Sequence, residues 1–491
     1  NPGTWLGHAD RPSRPGARAR ARRKEALRTV AQEQGAVPAT QSFWLETAGP
    51  FEKRPAWQGH GRVDVAVVGG GFTGLSAAFH IKERQPELRV VLLEAGSLFH
   101  AASGRNAGFS MTLFGLELGV TVLRYGRARA KEAGDYMVRA VNYTRELIRR
   151  LNIDCDYEEH GMMTVATNPN QLRKLRRQFE LAREMGLHET AWLKQAEARE
   201  LVNSPTYLGA WYDPLCALVN PAKLAKGMAR AAADAGVELY EGSPVLSLDP
   251  AGPVTLTLPK GTVRADRVVL ATNAFTAGFP QLRRVQAPMF TYIVLTEPLS
   301  RRQLEAVGWR RRIGVEDGRN FIHYYRLTPD NRLLMGGHDA VYHFGNRTDR
   351  DHNMNIARKL MQNVVRTFPA LEGVRFTHHW GGPISVTLDL VPAIGRLGRD
   401  IFYSVGCMGH GVSLTQLNGR TLADVVLDTP SELTEAFFVG RRGTPLPPEP
   451  IRFAVINAIR GGMLLQDAWD EYRGASAMSR RPVERAAGRN V

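Results

Sequence analysis

Residues 63–84 read VDVAVVGGGFTGLSAAFHIKER. The apolar run that opens this stretch predicts a short buried strand, and the residues after the glycines have the composition and periodicity of a helix. Gly69, Gly71 and Gly74 form a GxGxxG pattern at the junction, and a second strand, RVVLLEA, ends near Glu94. A GxGxxG between strand and helix, followed about twenty residues later by an acid, is typical of dinucleotide-binding sites. The stretch therefore predicts a βαβ unit that binds a dinucleotide.

Each residue of this pattern has a physical role. Gly69 permits the tight turn, Gly71 lets the backbone approach a pyrophosphate, and Gly74 allows close packing of helix on strand. The phosphates would lie at the helix N-terminus, where unpaired N–H groups and the helix dipole favour an anion. The Glu94 carboxylate would accept hydrogen bonds from a ribose diol, which disfavours the 2′-phosphate of NADP.

The segment after this unit favours a flavin nucleotide over a nicotinamide one. It reads HAASGRNAGFS, where small residues let the backbone run close to a ligand and Arg105 and Asn106 offer donors to a pyrophosphate or a flavin edge. A nicotinamide domain would normally proceed to its next βαβ unit. A second glycine turn, between a late strand and a helix, suits the pyrimidine end of a flavin. It comprises Gly406, Gly409 and Gly411.

The composition is that of an ordinary folded soluble protein, with a concentration of basic residues near the N-terminal end of the sequence. The 491 residues are 43% hydrophobic and carry a net charge of +16. Part of that charge lies between Arg11 and Arg28, which predicts a basic, flexible, solvated arm rather than a specific nucleic-acid site. The three cysteines predict neither a disulfide framework nor a zinc cluster, and no apolar run reaches the ~20 residues that cross a bilayer. We expect a cytoplasmic location and no metal.

The strand and helix pattern between the two glycine turns is interrupted. Strands that would continue the sheet of the βαβ unit resume at residues 237–273, and residues 289–337 are strand-rich. Residues 155–167, CDYEEHGMMTVAT, alternate and predict a strand with one exposed face. The proline-rich residues 444–450 form a stiff connector to a final helix that covers the body.

Several motifs together resemble a known family. They are VVGGGFTGLSAAFHI, VVLLEA, ASGRNAG, IDCDYEEHG, YYRLTPDNRLLMGG, TFPALEGV, WGG with PAIGRL, and GHGVSLTQLNGR. In these motifs the chain resembles the D-amino-acid-oxidase superfamily of FAD enzymes, most closely its γ-glutamylputrescine oxidase branch. The resemblance extends from about residue 64 to residue 465 and implies non-covalently bound FAD, since neither His100 nor Cys407 matches a linkage position of the relatives.

The resemblance implies an α/β (α+β) fold, with a Rossmann-type FAD-binding domain assembled from discontinuous segments and a mixed-sheet substrate domain. The expected division is a basic flexible arm at 1–40, an FAD-binding domain at 41–150, 216–280 and 385–440, a substrate domain at 151–215 and 281–384, and a C-terminal covering helix and tail at 441–491.

The resemblance also assigns positions around the cofactor. Gly69, Gly71, Gly74, Glu94, Ser103, Arg105 and Asn106 match the binding site for the ADP half and pyrophosphate. Val245 matches a main-chain contact on the adenine side. Ala271 to Asn273 and Gly406 to Gly411 match positions beside the isoalloxazine.

Chemistry in this family is hydride transfer to flavin N5 from the carbon next to nitrogen, followed by hydrolysis of the imine. A reactive amine must be neutral, and an aromatic cage of Tyr324, Tyr325 and Trp380 would disfavour the ammonium form. These aromatic residues also fit ordinary strand packing. Because side chains alternate along a strand, Tyr324 and Arg326 would share one face and Tyr325 the other.

Two further residues have functional and structural interpretations. Arg326 would clamp a substrate carboxylate, or would form a cross-strand ion pair. His410 would hydrogen-bond a flavin oxygen or shuttle a proton, or would be purely structural. The strand GPISVTLD lacks the arginine that amino-acid oxidases of the family often have there, which weakens the expectation of an ordinary α-amino-acid site.

The sequence therefore predicts an FAD-dependent oxidoreductase that oxidises a C–N bond of a small amine or N-substituted amino compound, with O2 reduced to H2O2. Three alternatives stay open at this point. They are a D-amino-acid or N-methyl-amino-acid dehydrogenase or oxidase with another electron acceptor, a biosynthetic flavin oxidase of a larger substrate, and a flavoprotein whose basic arm binds RNA or an anionic membrane.

Overall fold

The computed structural model describes residues 39, 41–115 and 117–479, with side chains through residue 473. The helices are α1 (Phe43–Thr47), α2 (Phe72–Arg84), α3 (Leu118–Arg150), α4 (Pro169–Glu184), α5 (Gln195–Leu201), α6 (Pro221–Asp234), α7 (Arg301–Val307), α8 (Met354–Thr367), α9 (Gly411–Val426) and α10 (Ile451–Ser479). Short 3-10 helices cover Ala102–Gly104, Asn273–Gly278, Pro280–Leu282 and Pro369–Leu371.

The strands form two large sheets and one small one. They are β1 (Gly59–Val68), β2 (Val90–Leu93), β3 (Phe109–Ser110), β4 (Met162–Ala166), β5 (Ala191–Lys194), β6 (Gly209–Asp213), β7 (Ala217–Leu218), β8 (Glu238–Tyr240), β9 (Ser247–Asp249), β10 (Val254–Leu258), β11 (Gly261–Leu270), β12 (Ala287–Pro298), β13 (Gly314–Asp317), β14 (His323–Leu327), β15 (Arg332–Tyr342), β16 (Phe376–Val386), β17 (Ala393–Leu397) and β18 (Ile401–Val405).

The first sheet has the order β17-β18-β11-β1-β2-β8, and β9 and β10 extend it beside β11. Strand β1 runs parallel to β11 and β2, and β18 runs parallel to β11. Its strands come from widely separated parts of the chain, and α2, which packs against α9 and α6, covers one face. Because the end of β1 and the whole of β2 are covered on both faces, residues 65–68 (VAVV) and 90–93 (VVLL) are continuous apolar runs. The predicted fold class, with a Rossmann-type unit built from discontinuous segments, is confirmed.

The second sheet has the order β16-β12-β15-β14-β13-β4-β6-β5, and only the β13–β4 pair is parallel. Its outer face packs on α5 and α8 through an apolar cluster that includes Met163, Val315 and Tyr325. The inner face joins a second cluster, which includes Trp44, Phe109 and Trp380. The inner face is therefore turned towards the segment that follows the first βαβ unit.

The strand predicted at residues 155–167 is shorter and more buried than its sequence indicates. Strand β4 is confined to Met162–Ala166, where Met163 and Val165 lie in the outer cluster and Met162 in the inner one. Neither face is exposed, so the prediction of an exposed face was wrong. The polar residues of the pattern precede the strand, and among them Glu158 forms a single bridge with Leu218.

The predicted arm at residues 1–40 lies outside the described residues, apart from Ala39. The Ala39 backbone pairs with β16, because its N–H donates to the Thr377 carbonyl and its carbonyl accepts from the His379 N–H, each at 2.8 Å. Helix α10 contacts β15, where Arg460 pairs with Asp339 (Nε–Oδ1 2.6 Å). The domain boundaries stay a prediction. No helix in the described ranges is long and apolar enough to cross a membrane.

Candidate active site

The first glycine turn joins β1 to α2, and its backbone is too closely packed for side chains. Gly69 has φ +111°, and a Cβ there would lie 2.6 Å from the Ala271 carbonyl oxygen. A Cβ on Gly74 would overlap the Gly69 carbonyl oxygen. A Cβ on Gly71 would meet only the Ser103 hydroxyl, at 2.9 Å. Gly69 and Gly74 are therefore fixed by packing against backbone, whereas Gly71 is not.

Glu94 and Ser103 contact the N-terminal end of α2. Glu94 accepts the Gly70 N–H at Oε2 (2.8 Å) and the Gly96 N–H at Oε1 (2.9 Å), which leaves a second lone pair on each oxygen. Ser103 Oγ accepts the Phe72 N–H at 2.9 Å. A donor of the kind that binds phosphate at a helix N-terminus is thus satisfied by a small hydroxyl that rotates readily.

Arg105 and Asn106 are engaged within the protein. Arg105 donates to the Gly381 and His100 carbonyls, each at 3.0 Å, and pairs with Asp351 at 2.6 Å. The Asn106 side chain donates to the Ala102 and Ser103 carbonyls and accepts the Gly108 N–H. Both side chains shape the segment beside the turn. Contacts of these two residues with a pyrophosphate or a flavin stay a prediction. Because the side chains are already hydrogen-bonded within the protein, the geometry favours such contacts through their backbone.

The segment that contains Val245 runs beside Glu94. The Ser243 N–H donates to the Glu94 carbonyl at 2.8 Å, and the Gly242 N–H donates to the Gly96 carbonyl at 2.9 Å. This location agrees with an adenine-side role for Val245, and its main-chain contact stays a prediction.

The second glycine turn lies against the end of β11. The Cys407 thiol is 3.6 Å from the Asn273 amide oxygen, so the two segments expected beside the isoalloxazine are brought together. A buried chain of hydrogen bonds joins them: Gly406 N–H to Ser385 Oγ (3.0 Å), Ser385 Oγ to Gln286 Oε1 (3.2 Å), and Gln286 Nε2 to the Ala274 carbonyl (3.0 Å). No sequence motif marks Ser385 or Gln286.

The environment of His410 indicates whether the second glycine turn fits a polar ligand. It precedes α9, and its Nδ1 is buried without a hydrogen-bond partner among the described residues. Burial lowers the pKa of His410 to about 4, so the imidazole is neutral at neutral pH. An orphaned buried nitrogen at a helix N-terminus fits a group with hydrogen-bonding edges, such as a flavin. Together with the accessible face of Gly71, the residues present fit a flavin nucleotide.

Replacing His410 with leucine is expected to raise the Kd of FAD about tenfold, because the cofactor would lose the hydrogen bond that the buried ring nitrogen makes with it. The matched control is His343→Leu, since His343 also has an orphaned ring nitrogen but lies against Phe290. Titration of the apoprotein with FAD, followed by flavin fluorescence, measures both. An unchanged Kd in His410→Leu would exclude a hydrogen bond from this ring to the cofactor.

The inner face of the second sheet carries one continuous cross-strand row. Directly paired residues point to the same face of a sheet. The pairs are Trp211–Thr164, Thr164–Glu316, Glu316–Tyr324, Tyr324–Gly336, Gly336–Ile293 and Ile293–Trp380. We call these seven residues the inner row. At one end, Trp380 Nε1 donates to the Arg105 carbonyl at 2.8 Å, so the inner row abuts the proposed cofactor segment.

The aromatic residues predicted as a cage divide between the two faces of this sheet. Tyr324 lies on the inner face, edge-on to Phe109 with ring centroids 6.1 Å apart, and burial raises the pKa of its phenol to about 12. Trp380 is fully buried on the same face. Tyr325 lies on the outer face, where its hydroxyl is 2.9 Å from that of Tyr207. Tyr324 and Trp380 are the two of the set that the inner face brings together.

Arg326 shares the inner face but is fully buried and committed to the protein. Its guanidinium donates to the Val219 carbonyl (2.7 Å) and contacts Glu158 at 3.3 Å. It also lies over the Trp44 ring, 5.3 Å from the centroid. The geometry therefore favours a structural role. The role of Arg326 as a clamp for a substrate carboxylate stays a prediction, which the contacts of its guanidinium with Val219 and Glu158 disfavour.

Two buried carboxyl groups were not marked by any motif. Glu241 accepts the Leu98 and Arg54 N–H groups, each at 2.7 Å, and so holds the chain beside Glu94. Glu316 is 7% exposed in the inner row, and burial raises its pKa to about 7. The sequence feature that could have indicated Glu316 is an acidic residue inside the short strand GVED, next to the buried Val315. No group of three or more metal-binding side chains is found among the described residues.

The model of the DAO family, described as FAD dependent oxidoreductase, matches residues 64–425. The chain belongs to this family. It is therefore an enzyme, an FAD-dependent oxidoreductase, which confirms the family and the cofactor expected from the sequence.

Two relatives align with this chain over most of their own length. Gamma-glutamylputrescine oxidoreductase of Escherichia coli (strain K12) is 35% identical over 389 residues, which cover 79% of this chain and 89% of the relative. Glycine oxidase of Geobacillus kaustophilus is 29% identical over 374 residues, which cover 74% and 93% of the two chains.

Solved structures show the same fold. The crystal structure of glycine oxidase from Geobacillus kaustophilus gives a TM-score of 0.66 at 24% identity and covers 78% of this FAD oxidoreductase and 99% of that chain. The structure of L-proline dehydrogenase from P. horikoshii gives 0.64 at 18% identity and covers 79% and 97%. The two-sheet arrangement is thus shared over nearly the whole of those chains.

Proposed function

We propose that this FAD-dependent oxidoreductase oxidises a C–N bond of an amine or an N-substituted amino compound. The inner row carries the proposal, because it places Tyr324, Ile293 and Trp380 on one apolar face against the cofactor segment. The relative named for γ-glutamylputrescine supports the substrate class, and the relative named for glycine supports oxidation at a carbon next to nitrogen. Bound FAD would supply a two-electron acceptor for the hydride that leaves the carbon next to nitrogen, with O2 reduced to H2O2 as it is reoxidised.

The chain's own residues would orient and desolvate the amine. An apolar surface disfavours the ammonium and so favours the neutral amine, whose carbon gives up a hydride more readily. Water then hydrolyses the imine to a carbonyl compound and ammonia, or to a carbonyl compound and a free amine where the nitrogen carries a substituent. Tyr324, whose phenol stays protonated over the whole working range, would offer a hydrogen bond without adding charge.

An ordinary α-amino acid is a less suitable substrate for this site. Such a substrate needs a cation for its carboxylate, and Arg326, on the inner face, is occupied by the Val219 carbonyl and Glu158. The structure therefore favours an amine over an α-amino acid. A cytoplasmic location stays a prediction from the sequence.

Anaerobic flavin reduction tests the proposed reaction. We expect γ-glutamylputrescine or another small amine to bleach the absorbance of the FAD-loaded enzyme, and glycine and D-alanine to do so at least about tenfold more slowly. Admission of O2 should restore the absorbance and release one H2O2 for each imine formed. Failure of every amine in the panel, with reduction by an amino acid instead, would contradict the proposal.

A further inference from the structure

A cavity of about 200 Å³ lies between the second sheet and helices α3 and α4. Its wall is mostly apolar, with Met111, Leu113, Met162, Leu175 and Trp211 among the lining side chains. By the volume of liquid water, it has room for about six waters or one small aliphatic molecule. Thr164 and Glu316, two members of the inner row, also line this cavity.

The cavity adjoins the proposed cofactor side. Ser110 Oγ lies 2.9 Å from Ser413 Oγ in the first turn of α9, the helix that follows the second glycine turn. Met111, the next residue, lines the cavity. Phe109, the residue before, contacts Tyr324, which pairs directly with Glu316. A short series of contacts therefore connects the helix after the second glycine turn with the wall of the cavity.

Glu316 differs from the other charged groups of this cavity. Its only hydrogen bond among the described residues is from Thr164 Oγ1 to Oε1 at 2.9 Å, which leaves Oε2 without a partner. The other charged groups that line the cavity form pairs: Glu117 with Lys174, Asp213 with His188, and Asp317 with Arg319. The Cys216 thiol also lines the cavity, and burial raises its pKa well above the usual value, so it carries no charge. Within the described part of the chain, the cavity therefore has one buried carboxyl, that of Glu316, which no cation neutralises.

A buried carboxylate without a counter-ion is unfavourable, and an apolar cavity makes a cation bound beside it correspondingly favourable. We propose that Glu316 binds a second cationic group of the substrate, so that the enzyme selects amines that carry an ammonium or guanidinium at the end remote from the reacting nitrogen. This inference rests on the proposed function and adds the substrate class to it. Thr164 positions the carboxylate, and the apolar wall takes the aliphatic chain between the two nitrogens.

Matched amines test this assignment. The probes are 1,4-diaminobutane and 1,5-diaminopentane against 1-aminobutane and 1-aminopentane, added anaerobically to the FAD-loaded enzyme. Titration calorimetry measures affinity, and flavin reduction measures turnover. We expect the wild-type enzyme to bind each diamine at least about tenfold more tightly than its monoamine, and Glu316→Gln to remove that preference with little change for the monoamine.

Two variants control the result. Glu316→Asp keeps the charge and should retain part of the preference, whereas Glu305→Gln removes an exposed carboxylate and should retain all of it. Diamine binding that depends on Glu316, with no flavin reduction by any amine of either panel, would contradict the proposed function and leave only the cation-binding role of Glu316 in place. Equal affinity for diamine and monoamine, or a preference that survives Glu316→Gln, would overturn the inference whatever happens to the flavin.

Discussion

Replacing Gly71 with alanine is expected to weaken FAD binding by at least about 100-fold, about 2.7 kcal/mol, while the apoprotein stays folded. Gly71 has φ −89° and ψ −175°, a conformation open to any residue, and its added Cβ meets only a serine hydroxyl that can rotate. The same Cβ would occupy the surface where backbone approaches a pyrophosphate. Apoprotein stability in urea and FAD titration of the refolded apoprotein measure the two effects separately.

Gly74→Ala provides the contrast. Its Cβ would overlap the Gly69 carbonyl oxygen, which is backbone and cannot rotate away, so α2 must move off β1. We expect that variant to lose more than about 3 kcal/mol of stability as well as FAD binding, because overpacking at a close backbone contact is costly. Normal FAD affinity in a folded Gly71→Ala enzyme would contradict the location of the pyrophosphate at this turn.

Local patterns predicted the parts of the fold that depend on neighbours in sequence. The β1–α2 unit follows from an apolar strand and a glycine turn in one continuous stretch. The division of Tyr324 and Tyr325 between two faces follows from the period of two along any strand. The second glycine turn before α9 could be placed for the same reason, since strand, turn and helix are consecutive.

Contacts between distant segments could not be read from those patterns. Arg326 is held by Val219 and Glu158, 107 and 168 residues away in sequence, so no local signal separates a buried structural arginine from a substrate clamp. The inner row likewise depends on a sheet order in which β14 lies between β13 and β15 and β13 joins β4. Glu316 becomes notable only once that order brings it beside Thr164.

Glu316→Gln is expected to stabilise the substrate-free protein at alkaline pH and to leave it unchanged in acid. Burial raises the pKa of Glu316 from 4.5 to about 7, so the folded state holds this proton more tightly than the unfolded state does. Below pH 4.5 both states are protonated, and the carboxyl behaves much like the amide. Between pH 4.5 and 7 the unfolded state ionises first and gains free energy, which destabilises the wild-type fold progressively as pH rises.

Above pH 7 the loss is complete and amounts to about 3 kcal/mol, from a shift of about 2.5 pKa units at 1.36 kcal/mol each. Urea unfolding of both proteins at pH 5, 6, 7 and 8, at equal FAD saturation, should therefore show a difference that opens with pH. The exposed carboxylate variant Glu305→Gln should stay within about 0.5 kcal/mol of wild type throughout. A pH-independent difference would mean that a cation of the protein already neutralises Glu316.

Binding of a cationic ligand at Glu316 is expected to change this pH dependence of stability. A cation bound at Glu316 favours the ionised carboxylate and so lowers its pKa, which removes the alkaline penalty. Saturating 1,4-diaminobutane should then bring the wild-type protein close to Glu316→Gln at pH 8 and do little at pH 5, while 1-aminobutane should leave the gap open. If the diamine stabilised the wild-type protein equally at both values of pH, the gain would come from general ligand binding and not from the charge of Glu316.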